Sequence, residues 1–205
     1  MLKHKKILVC SALLLTIGVG STLAYLQQRS NDLTNTFEVA NVETEIDEPK
    51  MEQDNSDLKK TPSVKNTGKT DVIIRVRCVV SPEDVLDGKI DYNTDLNSIT
   101  AKDSDVEGNW VNGNDGYWYY QAVIPANKET EPLFTTISNV FVKNDDGTYS
   151  FAEGCEDFDI TIYQESVQAN INLNDGSSLS AIDKDGKYNQ TNADQIWDIF
   201  EKNQN

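Results

Sequence analysis

Histidine is almost missing from this sequence: its one copy is His4, among the first few residues. With no imidazole further on, Ser-His-Asp and Cys-His machinery and His-Glu-x-x-His zinc sites are all removed. A catalytic zinc site normally takes several imidazoles, and carboxylates with two separated cysteines are a poor substitute. Basic residues are scarce as well, 18 Lys and Arg against 34 Asp and Glu, for a formal net charge of −16. A surface that acidic repels nucleic acid and anionic lipid, so neither is expected as a partner. Cysteine occurs three times, at Cys10, Cys78 and Cys155. Nothing here points to hydrolysis or to a bound cofactor.

The long uncharged apolar run from Ile7 to Leu26 follows the basic start Lys3, Lys5 and Lys6. It ends in small residues, with Thr22 and Ala24 at the minus-three and minus-one positions of a cut between Ala24 and Tyr25. That order of basic, apolar and small segments makes residues 1–24 an export signal. The apolar run is longer than usual, and an uncleaved N-terminal anchor is the alternative, since about 18 apolar residues nearly cross a bilayer. Once cleaved, the chain has no expected membrane contact. Loss of the three lysines, with no acid before residue 25, takes the formal charge from −16 to −19. The remaining residues can bury a sizeable core and read as one domain.

Cys10 lies inside the signal, which leaves Cys78 and Cys155 as an even pair in an oxidising compartment. A disulfide between them is one reading. Cys78 also falls on the apolar face Ile74, Val76, Cys78 and Val80 of an alternating strand, where a buried free thiol packs well.

Alternation places strands at Phe37–Ile46, Ser63–Asn66, Val72–Val80, Tyr117–Ile124, Ile137–Val142 and Phe158–Val167. In the first of these the parity changes between Val39 and Val42, so a bulge is expected at Ala40 and Asn41. Residues 49–62 are charged and aperiodic and read as a flexible acidic loop. Thr67-Gly68-Lys69 looks like the turn of a hairpin joining its two flanking strands. Pro82–Leu86 fits one helical turn, with Pro at its first position. Ala193, Ile196, Trp197 and Phe200 recur at helical spacing after Asn192, which predicts an amphipathic helix over Ala193–Lys202 capped by that asparagine. Short strands with turn signals and no long helix predict a mainly β protein, an antiparallel β-sandwich of jelly-roll-like form with short helical insertions.

Three constellations could carry chemistry. Asp157 and Asp159 share a strand face at about 7 Å, within the range of a glycosidase pair, but the same spacing describes two solvated carboxylates. Asp183-Lys-Asp185-Gly186, Asn172-Leu-Asn174-Asp175-Gly176 and Asn144-Asp-Asp146-Gly147 resemble calcium loops. The first puts Ala181 and Asn192 where an EF-hand needs acidic ligands, so ordinary Asx and Gly turns are expected, with at most weak calcium association. Trp110 and Tyr117–Tyr120 could stack on sugar rings. Tyr117 and Tyr119 point away from Trp118 and Tyr120, so one pair is expected in the core and the other on a sheet surface.

Several blocks in order resemble a known family. They are Gly20–Leu26, Thr34–Phe37, Glu45–Pro49, Lys60–Gly68 leading into Asp71–Val76, Asp115–Tyr120, Pro132–Phe134, and Asp157–Tyr163 through Ala169. Together they are similar to SipW-dependent exported proteins, the TasA/camelysin-like family of Gram-positive bacteria. The resemblance implies a secreted, extracellular β-sandwich processed by a SipW-type signal peptidase. It implies a non-enzymatic structural role, as a cell-surface or biofilm-matrix fibre subunit whose partner is itself or a related subunit. Assembly would proceed by β-strand addition, with Tyr25–Ala40 as donor and Phe37 and Val39 as its anchors. A monomeric adhesin using the aromatic cluster is the alternative, and a camelysin-like metallopeptidase a second. The domain plan is a signal at 1–24, an extended segment and first strand at 25–48, the acidic loop at 49–62, and the rest of the sandwich at 63–205.

Overall fold

The run Val72–Ser81 carries Val72, Ile74, Val76, Cys78 and Val80 on one face, and in the computed structural model it is the central long strand of a sheet with that face towards the core. The structure describes residues 42–95 and 106–204. Their strands are β1 (Thr44–Asp47), β2 (Glu52–Asp54), β3 (Asp57–Lys59), β4 (Ser63–Asn66), β5 (Val72–Ser81), β6 (Ile90–Tyr92) and β7 (Trp110–Asn112). They continue with β8 (Trp118–Tyr120), β9 (Phe134–Ile137), β10 (Phe141–Lys143), β11 (Tyr149–Phe151), β12 (Asp159–Gln168), β13 (Asn170–Asn172) and β14 (Ser178–Ser180), and the chain closes with helix α1 (Gln190–Gln204).

Every strand pairing among the described residues is antiparallel, and two four-stranded sheets form two layers, beside the two-stranded pairs β1–β4, β10–β11 and β13–β14. One layer has the order β12-β5-β8-β7, and the other β2-β3-β9-β6. The β1–β4 pair joins the second layer through Thr130 N–H to Val64 O (2.9 Å) and Leu133 N–H to Pro62 O (2.7 Å). Between the layers lie Val72, Ile74 and Val76 of β5, Ile160 and Ile162 of β12, Trp110, Tyr120, Phe134 and Ile137, all buried. The fold is the expected mainly β, antiparallel sandwich with a C-terminal helix.

A second, smaller core lies outside the first sheet. There Ile73, Val123, Val167, Ala169 and Ala181 receive Ala193, Ile196 and Trp197 of α1. Ile73 and Val167 are the pair that makes this face of the β5–β12 ribbon apolar enough to seat a helix.

Several local expectations are corrected. Residues 49–62, read as a flexible loop, contain the β2–β3 hairpin. It is ordered because Leu58 is buried and pairs with Ile137, and because the buried Lys60 binds Glu48. Thr67–Lys69 does not close a hairpin: β4 pairs with β1 and β5 with β12, so the turn carries the chain between layers. Asn66 organises that crossing, donating to Thr70 O (2.8 Å) and Ile124 O (2.9 Å) while its carbonyl accepts from Gly68 N–H. Ile137–Val142 is two strands, broken where Asn139 turns left-handed at φ 56°. Pro82–Leu86 forms tight turns rather than a helical turn, because Asp84 takes φ 71°. Helix α1 begins earlier than expected. Its cap is Asn189, whose Oδ1 accepts from Asn192 N–H, while Asn192 itself donates to Ser180 O at 2.7 Å.

Candidate functional site

The outward face of β5 carries Ile73, Arg75, Arg77 and Val79 in succession, and α1 lies over its first half. Under the helix Arg75 is almost wholly buried. Its Nε and Nη2 bind Glu165 Oε2 at 2.7 and 2.6 Å, and its Nη1 binds Glu201 Oε1 at 2.5 Å and the Tyr119 hydroxyl at 3.2 Å. Three aromatic rings surround the guanidinium, with Tyr117 at 4.1 Å, Trp197 at 4.5 Å and Tyr119 at 5.9 Å to the ring centres. A buried cation needs such compensation for its lost hydration. Burial pulls the Arg75 pKa down, but the bonds it donates to Glu201, Tyr119 and Glu165 outweigh it and leave it raised.

The surroundings respond to the same charges. Burial pushes the Tyr119 hydroxyl up to about 12, helped by its bond to Asp115. Burial also acts to raise the Asp115 carboxyl, yet the bonds from the Tyr119 hydroxyl and Tyr117 N–H hold it below its ordinary value. With each guanidinium nitrogen engaged and the tyrosines protonated at neutral pH, this cluster is a joint that clamps α1 to the sheet. Of its members, sequence reading singled out Tyr117 and Tyr119. Arg75, Glu165, Trp197 and Glu201 were missed as a set, although the apolar Ile73 on the same strand face as Arg75 signalled that this face is covered.

The aromatic cluster divides as its alternation predicts. Trp110 and Tyr120 lie in the main core, and Trp118 stacks on Tyr92 at 4.2 Å. Tyr120 is further fixed by its hydroxyl, which donates to Val106 O and accepts from Glu131 N–H. Asp157 and Asp159 are exposed. The three acidic turns share one build: Asn144, Leu173 and Asp183 each accept from the glycine three residues on. Asp146, Asp175 and Asp183 cap the backbone N–H groups of Thr148, Ser177 and both Asp185 and Lys187. Gly147, Gly176 and Gly186 supply the positive φ each turn needs. Among the described residues no three His, Cys, Asp or Glu side chains converge.

Cys78 and Cys155 are both free thiols, so the structure does not join them. Cys78 faces the core as its strand pattern predicts, and burial pushes its pKa up to about 11. Cys155 is buried with its sulfur 4.0 Å from Val85 O. Ala24 and Tyr25 of the expected cleavage site and the expected anchors Phe37 and Val39 lie outside the described residues.

Near the start of the described residues, Thr44 packs against the inward face of β12, where Gln164 and Ser166 lie opposite Val76 and Ile74. β12 is the ten-residue edge strand of the order β12-β5-β8-β7. Its Gln164 donates to Thr44 O at 2.7 Å, and its Ser166 hydroxyl shares a 3.0 Å hydrogen bond with the Thr44 hydroxyl. No family model matches the chain, and no curated protein or solved structure matches it.

Proposed function

We propose that this protein is a secreted, non-enzymatic structural subunit of the TasA-like kind, which builds extracellular fibres by β-strand addition. The observation that carries this reading is β12, a strand of ten residues that stands at the edge of its sheet. A strand laid along β12 would extend the sheet with main-chain hydrogen bonds and place alternate side chains towards the core. Supplied by the same chain, it completes a monomer. Supplied by the next subunit, it makes a head-to-tail contact that does not close and therefore grows a filament. The donor is Tyr25–Ala40, with Phe37 and Val39 as alternate-side anchors. The export signal and the acidic, soluble surface fit an extracellular subunit.

The test is negative-stain electron microscopy of protein spanning Tyr25–Asn205 beside protein starting at Glu43, over a range of concentration and mild acidity. Fibres from the longer protein that vanish in the shorter one support strand addition. Monomers under every condition, with the shorter protein still folded, overturn it.

A further inference from the structure

Helix α1 covers only half of the outer face of the β5–β12 ribbon. Beyond the Arg75–Glu165 pair come the facing pairs Arg77–Tyr163, Val79–Thr161 and Ser81–Asp159. Tyr163 is 51% and Val79 41% exposed, and they sit at diagonal positions of this one face. Arg77 is exposed, with its guanidinium 4.5 Å from the Tyr117 ring centre and no carboxylate partner among the described residues. Asp159 is exposed on the same face, four residues along β12 from Tyr163, or about 13 Å, and no cation pairs with it among the described residues.

We propose that this bare half-face is a docking surface for a second copy of the chain, sheet against sheet, about a two-fold axis through the Val79–Thr161 pair. A two-fold operation reverses the order of the rows. It sets Arg77 of each copy against Asp159 of the other and Val79 against Val79, with Tyr163 flanking the apolar centre. The occupant is argued from charge: it must bring a carboxylate to Arg77 and a cation to Asp159 at the same separation, and this face carries both. Such an interface is isologous and closes at a dimer, so it is separate from any head-to-tail fibre contact. The net charge of −16 opposes association, which makes the two crossed ion pairs the determinant of register.

The test is sedimentation velocity of the exported protein, up to millimolar concentration, with Arg77→Asp, Asp159→Arg and the double variant. A concentration-dependent dimer is expected. Each single reversal should weaken it at least about tenfold in Kd, and the double reversal should restore it to within about threefold. Because Arg77 stacks on Tyr117, Asp159→Arg probes the same contact from a residue with no such role. A monomer at every concentration overturns the proposal. So does a dimer indifferent to the single reversals, or one that the double variant fails to restore.

Discussion

Arg75 of β5 and Glu201 of α1 meet at 2.5 Å although 126 positions separate them in the chain. Through this contact the last helix is tied to the centre of a sheet. The two partners are unequal: the Arg75 side chain is 5% exposed and that of Glu201 53%.

That inequality predicts unequal mutants. Arg75→Met leaves Glu165 without its cation and should cost about 3–5 kcal/mol. Glu201→Gln leaves Arg75 still bound to Glu165, at a half-exposed position, and should cost less than about 1 kcal/mol. Urea denaturation followed by circular dichroism measures both. Equal losses would mean that Glu201, and not Glu165, carries the compensation.

Lys60 and Glu48 form the more deeply buried pair, with side chains 0% and 12% exposed and a separation of 3.1 Å. Lys60→Met strands the carboxylate and should lower stability by about 3–5 kcal/mol. The double change Lys60→Met with Glu48→Leu removes both charges and should recover most of that loss. A double-mutant cycle in urea is the measurement, and additive losses would refute the pairing.

Acid stability should depend on Asp115. Its carboxyl is held below the ordinary value in the folded chain, so the folded state binds this proton less readily than the unfolded state. The stabilisation it contributes is complete above the unfolded pKa, near ~3.9, and is lost as pH falls through the folded value. The melting temperature should therefore fall steeply below about pH 4, and less steeply in Asp115→Asn. Asp146 and Asp175 are shifted in the same direction and will add to the slope in both proteins.

The thiols give a chemical check. Both Cys78 and Cys155 should react with a thiol reagent once protein spanning Tyr25–Asn205 is denatured without reductant. In the native protein Cys78 should react slowly at pH 8, because a pKa of about 11 leaves only about one thiolate in a thousand. Intact-mass counting of the added label distinguishes this from a disulfide, which would leave neither available.

Parts of the fold were legible because their signals are local. The core faces of the second half of β5 and the first half of β12 follow from local alternation, and Phe158, Ile160 and Ile162 are buried as that alternation requires. Helix α1 was visible in the spacing of Ala193, Ile196, Trp197 and Phe200. Its start was misplaced because Asn189 and Asn192 are both good caps. The sheet-tethering bond from Asn192 to Ser180 O, which is not local, commits the second of them elsewhere. The β2–β3 hairpin was hidden for a similar reason. Its residues are mostly charged, and what orders them is Ile137 on β9 and the Lys60–Glu48 pair.

The sequence by itself determined the strand periods, the turn chemistry at Asp146-Gly147 and Asp175-Gly176, the core face of Cys78 and the division of the aromatic cluster. Each of these depends on neighbours within a few residues. Only the tertiary structure decided that β4 and β5 part into different layers, that Arg75 is buried, and that the thiols stay apart. It also decided that β12 is an edge strand and that Thr44 packs on its inward face. Those outcomes depend on partners up to 126 positions away, such as Glu201 for Arg75. A charged residue in an alternating strand reads as solvent-facing until the groups that neutralise it are brought to it by the fold.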